Sequence, residues 1–271
     1  MMPSSTLDAV GAEHRPIAAD AARIVSLVPS LTELLFDLGL GESVVGRTAF
    51  CVHPAARIRS VPSVGGTKTI NIEKLRQLRP THVLVNIDET PRAIADELAA
   101  AGCTVVVTHP IEVRDNLALY RLLGNLFGKQ EQAESLCERF ESAYDAARRL
   151  AERLPERPVL YLIWKDPWMT VARDTYIARM LALVGLHTMP ATSARRYPAV
   201  ELTHDLLRQT ELVLFSTEPF PFKERHLAEF GASHPAHAGK AAIIDAQMIS
   251  WYGSRAVHGL GYLTAFASAH R

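Results

Sequence analysis

Several residues could take part in catalysis or metal binding, but none completes a pattern for either. His234 and His237 lie three positions apart in Ser-His-Pro-Ala-His, whereas tight metal binding needs three or four ligands with supporting hydrogen bonds. Cys51 and His53 are two positions apart, a spacing that gives a thiolate and a base no special geometry. The sequence has no GxSxG motif and no paired-carboxylate signature. We therefore predict no catalytic residue, no bound metal and no cofactor, and that the protein is not an enzyme.

Aromatic side chains form a more informative pattern, because they lie where candidate strands give way to loops. In an open parallel sheet, ligands bind beyond the carboxyl ends of the strands. Trp and Tyr offer a flat apolar face with a polar group, which suits a large, planar and partly polar ligand. The pattern predicts that the following aromatic residues contact a ligand: Phe50, Trp164, Trp168, Trp251 and Tyr252.

Polar residues accompany these aromatics at the same strand ends. The loop at residues 61–68 contains two glycines, which allow close approach of the backbone, and we predict that its Thr67 and Lys68 contact the ligand. Arg255 is a further predicted contact. Several cations could neutralise carboxylates or a phosphate of an anionic ligand, and would be ordinary surface charges if the ligand is neutral: Arg47, Lys68, Lys165 and Arg255.

Short apolar, β-branched runs alternate with helical patterns along the chain, which predicts mostly parallel sheets with crossover helices. The segment from Ser30 to Glu33 has the form of a capping box at the start of a helix. The candidate strands are 23–28, 43–48, 82–87, 104–108, 159–164, 212–216 and 242–245. The candidate helices are 30–38, 71–78, 91–101, 115–127, 176–184, 203–209, 223–230 and 256–269.

One longer helix separates two such alternating blocks. Residues 129 to about 154 contain no Gly or Pro, and their apolar residues recur at helical spacing over a predicted length of roughly 39 Å. We predict an α/β protein with two Rossmann-like lobes joined by this backbone helix. The predicted boundaries are a disordered tail at 1–22, an N-terminal lobe at 23–128, the bridging helix at 129–155 and a C-terminal lobe at 156–271.

Composition narrows the possible partners and compartments. The formal net charge is zero, with 29 basic and 29 acidic residues, so no basic field favours nucleic acid. No apolar run is long enough for a membrane span, and residues 1–22 lack the pattern of a secretory signal. Three cysteines without a CxxC pattern give no sign of a disulfide framework. As it stands, the sequence predicts a monomeric cytoplasmic protein with a small-molecule ligand.

The order and spacing of several short motifs resemble the helical-backbone (class III) substrate-binding proteins of ABC importers. The motifs are RIVSLVPS at 23–30, TELL at 32–35, VVG at 44–46, HP at 53–54, PSVG at 62–65, NIEKL at 71–75 and LRPTHVL at 78–84. The resemblance covers the chain from residue 23 onward and is greatest to the cobalamin-binding members. It implies a bilobal periplasmic binding protein that captures a corrinoid, or a related metal chelate, in the cleft between its lobes.

The resemblance also implies roles for individual residues. Phe50 matches an aromatic residue that contacts the corrin ring, and Trp251 and Tyr252 match an aromatic pair that flanks the ligand from the second lobe. Glu73 matches a carboxylate that docks on arginines of the membrane permease. The second docking carboxylate falls near Thr203, with Glu201 and Asp205 as candidates, of which we predict Asp205. No tryptophan stands near Thr67, where the family has one, and the disulfide cysteines of secreted relatives have no counterparts.

Three alternative functions stay open at this point. The chain could bind an iron–siderophore or haem instead of a corrinoid. It could be a cytoplasmic paralogue, unconnected to an importer, that binds such a chelate. It could also be a cytoplasmic enzyme or sensor that handles a cofactor, in which case Cys51 or His53 would be reactive.

Overall fold

The computed structural model describes residues 6–66 and 69–270 and divides the chain into two compact units. Unit 1 comprises the described residues of Met1–Pro110, Arg114–Phe140 and Tyr252–Arg255. Unit 2 comprises Ile111–Val113, Glu141–Trp251 and the described residues of Ala256–Arg271. Each unit contains one four-stranded, wholly parallel sheet, which confirms the predicted α/β class.

Unit 1 is built around a buried central strand. Its strands are β1 (Ile24–Ser26), β2 (Val44–Arg47), β3 (His82–Asn86) and β4 (Thr104–Thr108). Its helices are α1 (Pro29–Asp37), α2 (Ala55–Ile58), α3 (Ile72–Gln77), α4 (Arg92–Ala100) and α5 (Asp115–Leu126). The strand order is β2-β1-β3-β4, and every residue of β3 is buried, which explains why β3 has no polar alternation. The core cluster consists of Val25, Leu27, Val64, Leu75, Val83, Val85 and Leu98.

Unit 2 repeats this topology with a different sequence. Its strands are β5 (Arg157–Leu162), β6 (Leu186–Thr188), β7 (Leu212–Ser216) and β8 (Ala241–Ile244), in the order β6-β5-β7-β8. After α6, described below, its helices are α7 (Tyr176–Ala182), α8 (His204–Gln209), α9 (Glu224–Ser233), α10 (Ala246–Ser250) and α11 (Arg255–Ala269). Counted within each unit, both sheets have the order second, first, third, fourth strand. The core cluster consists of Leu160, Leu162, Leu207, Val213, Phe215, Phe222 and Phe230.

The long helix predicted between the two blocks is present as α6 (Gln130–Ala151), with 22 residues. Its buried residues recur at helical spacing, at Ala133, Leu136, Phe140 and Ala147. The division between the two units falls between residues 140 and 141, within this helix. The helix ends four residues before the predicted boundary at 155.

The prediction of a disordered N-terminal tail is wrong for residues 6–22. The buried carboxylate of Asp8 accepts backbone hydrogen bonds from Val10 and Ala12 through one oxygen. Its other oxygen accepts from the backbone of Val107 and lies 3.1 Å from His14 Nε2. The segment therefore covers part of β4, which is an edge strand of the four-stranded sheet. The polar composition of residues 6–22 suggested disorder. Composition alone does not reveal that the buried carboxylate of Asp8 satisfies four donors and so holds the segment in place.

The predicted capping box at Ser30 is also wrong. The first helix begins one residue earlier, with Val28 as N-cap and Pro29 at the first helical position, where a missing N–H costs nothing. Ser30 is thus inside the first turn, and Glu33 binds Arg255 instead of the helix start. Three short elements, α2, β6 and α10, were not predicted, because three to five residues are too few to display a periodicity.

Candidate functional site

The carboxyl ends of the unit 1 strands carry a group of polar and aromatic residues that we call rim 1. It consists of Glu33 after β1, Phe50 after β2, Asp88 and Glu89 after β3, and His109 after β4. Phe50 is 59% exposed, which is unusual for a large apolar side chain. The chain at Gly66 lies beside it, since a Cβ atom added there would be 3.5 Å from the Phe50 ring. Thr67 and Lys68 lie outside the described residues.

The segment Tyr252–Arg255 belongs to unit 1, so the prediction that Tyr252 acts from the second lobe is wrong. The Tyr252 hydroxyl donates a hydrogen bond of 2.8 Å to Glu89 Oε1. The backbone N–H of Gly253 donates to Asn116 Oδ1 at 2.6 Å, and Gly253 has a positive φ of 84°. Its carbonyl accepts from the Tyr120 hydroxyl at 2.9 Å. These hydrogen bonds attach the segment to rim 1 and to α5.

Arg255 forms a two-pronged ion pair with Glu33. Arg255 Nε lies 2.7 Å from Oε2 and Nη2 lies 2.5 Å from Oε1 of the carboxylate. Both side chains are largely buried, at 12% and 17% exposure, so water screens the pair weakly. An anionic ligand would have to compete with Glu33 for this guanidinium. Arg47 is similarly occupied, since it donates to the backbone carbonyls of Ile58 and Thr48.

The remaining charges of rim 1 are acidic or titratable. The pKa of Glu89 is raised to about 7, chiefly because the carboxyl group is buried; the hydrogen bond from Tyr252 opposes this rise and the neighbouring charge of Asp88 adds to it. Asp88 lies 3.5 Å from His109 Nε2. Burial also raises the pKa of the Tyr252 phenol, so its hydroxyl stays a donor across the physiological range. Rim 1 therefore presents one carboxyl group, that of Glu89, whose charge changes near neutral pH.

The corresponding edge of unit 2, which we call rim 2, consists of Trp164 and Trp168 after β5, Phe220 after β7 and Trp251 after α10. Trp164 is 41% exposed and contacts Phe220 edge-on at 5.6 Å between ring centroids. Trp168 instead stacks on Phe222 at 6.0 Å and joins the core cluster of unit 2. Trp251 is 8% exposed. The three tryptophans thus differ, since Trp164 is open to solvent, Trp168 is partly buried against the core and Trp251 is buried.

Lys165, the predicted cation of unit 2, is paired on the surface. Lys165 Nζ lies 2.6 Å from Glu229 Oε2 and 5.9 Å from the centre of the Trp168 ring. The hydrogen bond from Lys165 is the main reason that the pKa of Glu229 is lowered. With Glu229 half-exposed, the pair contributes little to stability. Lys165 and Trp168 line the same pocket, and His226 and His234 also form part of its wall.

The predicted docking residues Glu73 and Asp205 occupy equivalent places in the two units. Glu73 is the second residue of α3, which precedes the third strand of unit 1, and Asp205 is the second residue of α8, which precedes the third strand of unit 2. Both side chains are exposed. Thr203, the aligned alternative, is the N-cap of α8 and accepts a hydrogen bond from the backbone of Leu206. The topology therefore favours Asp205 as the counterpart of Glu73.

Two of the residues considered for catalysis or metal binding, Cys51 and His237, are buried among other protein side chains. Cys51 is buried within 3.1 Å of Thr32 Oγ1 and 3.2 Å of Thr48 Oγ1, and burial raises the pKa of its thiol, which disfavours the reactive thiolate. His237 is buried, and its Nε2 lies 3.2 Å from His204 Nδ1. Within residues 6–66 and 69–270, no group of three or more His, Cys, Asp or Glu residues could hold a metal ion.

Sequence reasoning missed two carboxylates of rim 1, Glu33 and Glu89. Glu33 was assigned to a helix cap, and Glu89 follows a strand without any motif around it. The signal available for Glu89 was its place just after β3, at the edge where the predicted aromatics also lie. Neither residue could be linked to Tyr252 or Arg255, because those partners are more than 160 positions away in the sequence.

Comparisons with known proteins bear on this architecture. The periplasmic binding protein family model matches residues 24–216. A vitamin B12-binding protein of Yersinia pestis (strain Pestoides F) is 26% identical over 200 residues, which cover 73% of this chain and 71% of the relative. In the described part of this chain, no helix is long and apolar enough to cross a membrane.

Solved structures share the fold over nearly the whole chain. The periplasmic vitamin B12-binding protein BtuF of Vibrio cholerae has a TM-score of 0.81 and 19% identity, covering 92% of this chain and 98% of its own. The apo periplasmic haem-binding protein RhuT of Roseiflexus sp. RS-1 has a TM-score of 0.78 and 25% identity, covering 92% and 99%. Since the family match spans residues 24–216, well over half of the sequence, this chain belongs to the periplasmic binding protein family.

Proposed function

We propose that this protein is the substrate-binding component of an ABC importer and that it captures a corrinoid of the cobalamin class. The observation that carries the proposal is the pair of solvent-exposed aromatic side chains, Phe50 on rim 1 and Trp164 on rim 2. Both stand at the carboxyl ends of parallel strands, where α/β proteins bind ligands. The similarity to a vitamin B12-binding protein over 73% of the chain supports the corrinoid as ligand.

The physical basis is capture without chemistry. A corrin macrocycle has extended apolar faces that suit Phe and Trp rings, and its edge carries amide groups that donate and accept hydrogen bonds. Arg255 and Arg47 are already bound to protein groups, so rim 1 favours a ligand without carboxylates over an anionic one. The buried thiol of Cys51, with its raised pKa, supports the proposal that the protein is not an enzyme.

The test is a titration of the purified protein with cyanocobalamin, haemin and a ferric siderophore, followed by quenching of tryptophan fluorescence. We expect saturable quenching by cyanocobalamin, and at least a tenfold weaker affinity in Phe50→Ala and in Trp164→Ala. Leu7→Ala is the matched control, since Leu7 is an equally open apolar side chain, 54% exposed, outside both rims. Failure of all three compounds to quench would contradict the proposal.

Haem is the second candidate ligand, and the similarity to the haem-binding protein RhuT favours it. RhuT, a haem-binding protein, is 25% identical to this chain along 92% of its length. Saturable binding of haemin with no binding of cyanocobalamin in the same titration would establish this alternative. The two candidates share a flat macrocycle and differ in their edges, because haem carries two carboxylates.

We further propose that Glu73 and Asp205 dock the protein on arginine residues of a membrane permease. Their equivalent positions on α3 and α8, and their exposure, support a role in which each unit contributes one carboxylate. Glu73→Arg with Asp205→Arg should abolish ligand delivery to the reconstituted importer while leaving ligand affinity unchanged. Glu131→Arg, on the exposed side of α6, is the control and should transport normally. Normal transport by the double variant would contradict docking through these residues.

The importer role requires the protein to work on the periplasmic side of the inner membrane, as the family description implies. Expression from its native gene, followed by osmotic-shock fractionation, tests this location. Release with the periplasmic fraction would support the importer role. Retention in the cytoplasm would favour a cytoplasmic paralogue that binds the same class of ligand.

A further inference from the structure

Glu89 is held in a defined position at the edge of rim 1. The turn after β3 is closed by hydrogen bonds from the backbone N–H groups of Glu89 and Thr90 to the carbonyl of Asn86, at 3.3 Å and 2.9 Å. Asn86 Oδ1 also accepts from the backbone of Asp88 at 2.8 Å. The Tyr252 hydroxyl then orients the carboxyl group by donating to Oε1 at 2.8 Å. Backbone and side chain are thus both fixed before any ligand arrives.

The negative charge of Glu89 is not neutralised by a neighbouring cation. Among the described residues, no Lys, Arg or His forms an ion pair with it. Arg255, on the same segment as Tyr252, is bound to Glu33, and His109 lies 3.5 Å from Asp88. Asp88 adds a second negative charge directly beside Glu89. Rim 1 therefore combines an unneutralised, half-buried carboxyl group with an exposed aromatic ring, Phe50.

We propose that Glu89 is a specificity-determining residue, which favours chelates with neutral amide donors at their edge and excludes chelates with carboxylates. This inference rests on the proposed function and narrows it to a corrinoid instead of haem. An amide N–H can donate to the second oxygen of Glu89, because Tyr252 occupies only one. A haem propionate in the same place would bring a like charge against a poorly solvated carboxylate, which is strongly unfavourable.

The experiment compares the affinities of cyanocobalamin and haemin for the wild-type protein and for Glu89→Gln at pH 8, where Glu89 is ionised. We expect Glu89→Gln to bind haemin about tenfold more tightly than the wild type does. Cyanocobalamin affinity should fall, by up to about threefold, because the neutral amide oxygen of Gln is a weaker hydrogen-bond acceptor than a carboxylate. Glu97→Gln removes one negative charge from an exposed position on α4 and is the matched control.

A second variant separates charge from local structure. Tyr252→Phe removes the hydroxyl donor and keeps the titratable carboxyl group, so haemin should gain much less affinity than it does in Glu89→Gln. Equal changes for both ligands in Glu89→Gln, or an unchanged haemin affinity, would overturn the inference while leaving the proposed function intact. If neither ligand binds to the wild type or to Glu89→Gln, the proposed function fails, and the inference fails with it.

Discussion

The two units share one sheet topology and differ in what their rims present. Rim 1 is polar and titratable, with an internal ion pair between Arg255 and Glu33 and a hydrogen bond between Tyr252 and Glu89. Rim 2 is aromatic, with Trp164 open to solvent and Trp168 stacked into the core. The strand order constrains where a site can form, because parallel strands end at a common edge. It does not constrain the chemistry of that edge, which the loops supply.

The largest expected effect concerns the two tryptophans that follow β5 in rim 2. Trp168→Ala should lower the free energy of unfolding by about 3 kcal/mol, because it removes a ring stacked on Phe222 and leaves a cavity. Trp164→Ala should cost less than about 1 kcal/mol, since the ring is 41% exposed. Urea denaturation measures both. Equal losses would mean that the distinction between an enclosed and an open tryptophan in rim 2 is wrong.

Breaking an ion pair should lower the free energy of unfolding by less than Trp168→Ala does, and by different amounts in the two units. Arg255→Ala should destabilise the protein by about 2 kcal/mol, because it leaves the largely buried Glu33 carboxylate without its partner. Lys165→Ala, which breaks the half-exposed pair with Glu229, should change stability by less than about 1 kcal/mol. Thermal and urea unfolding of the two variants provide the measurement. A loss in Lys165→Ala as large as that in Arg255→Ala would contradict the assignment.

Unit 1 also differs from unit 2 in having its outer strand covered by the N-terminal segment. Asp8→Ala should lower the free energy of unfolding by about 1–2 kcal/mol, because backbone donors that Asp8 satisfies lose their acceptor. The variant should also be cleaved within residues 6–22 at protease concentrations that leave the wild type intact. Leu7→Ala, a neighbouring exposed position, serves as the control. Resistance of Asp8→Ala to cleavage would show that other contacts hold this segment.

The most gradual expected effect is a pH dependence that comes from Glu89 of rim 1. The pKa of Glu89 is raised from 4.5 to about 7 in the folded protein, so the unfolded chain loses this proton first. The contribution of Glu89 to stability should therefore fall as pH rises from about 4.5 to 7, by roughly 1.4 kcal/mol per pH unit. Glu89→Gln should flatten this decline, which urea titrations at several pH values would show. Asp88, His109 and Tyr252 also face this group and are unchanged in the variant, so an equal slope in both proteins would rule out Glu89 as the source.

Local sequence patterns were sufficient to predict the longer strands and helices. Strands β4 and β7 have the predicted boundaries, because short continuous runs of apolar or β-branched residues are typical of parallel strands. The long helix was recognised from a regular apolar stripe without Gly or Pro. The short strand β6 was not, since three residues carry no recognisable period.

The sequence by itself determined the α/β class, the two alternating blocks and the family, since these depend on local periodicity and on motif order. Only the tertiary structure decided that Tyr252 and Arg255 belong to unit 1, that Asp8 attaches the N-terminal segment to β4, and that Glu89 lies beside Tyr252. The physical reason is that these contacts join groups about 100 to 220 positions apart in the sequence. Hydrogen bonds and ion pairs at that separation depend on the packed backbone, and no local preference of either partner indicates the other.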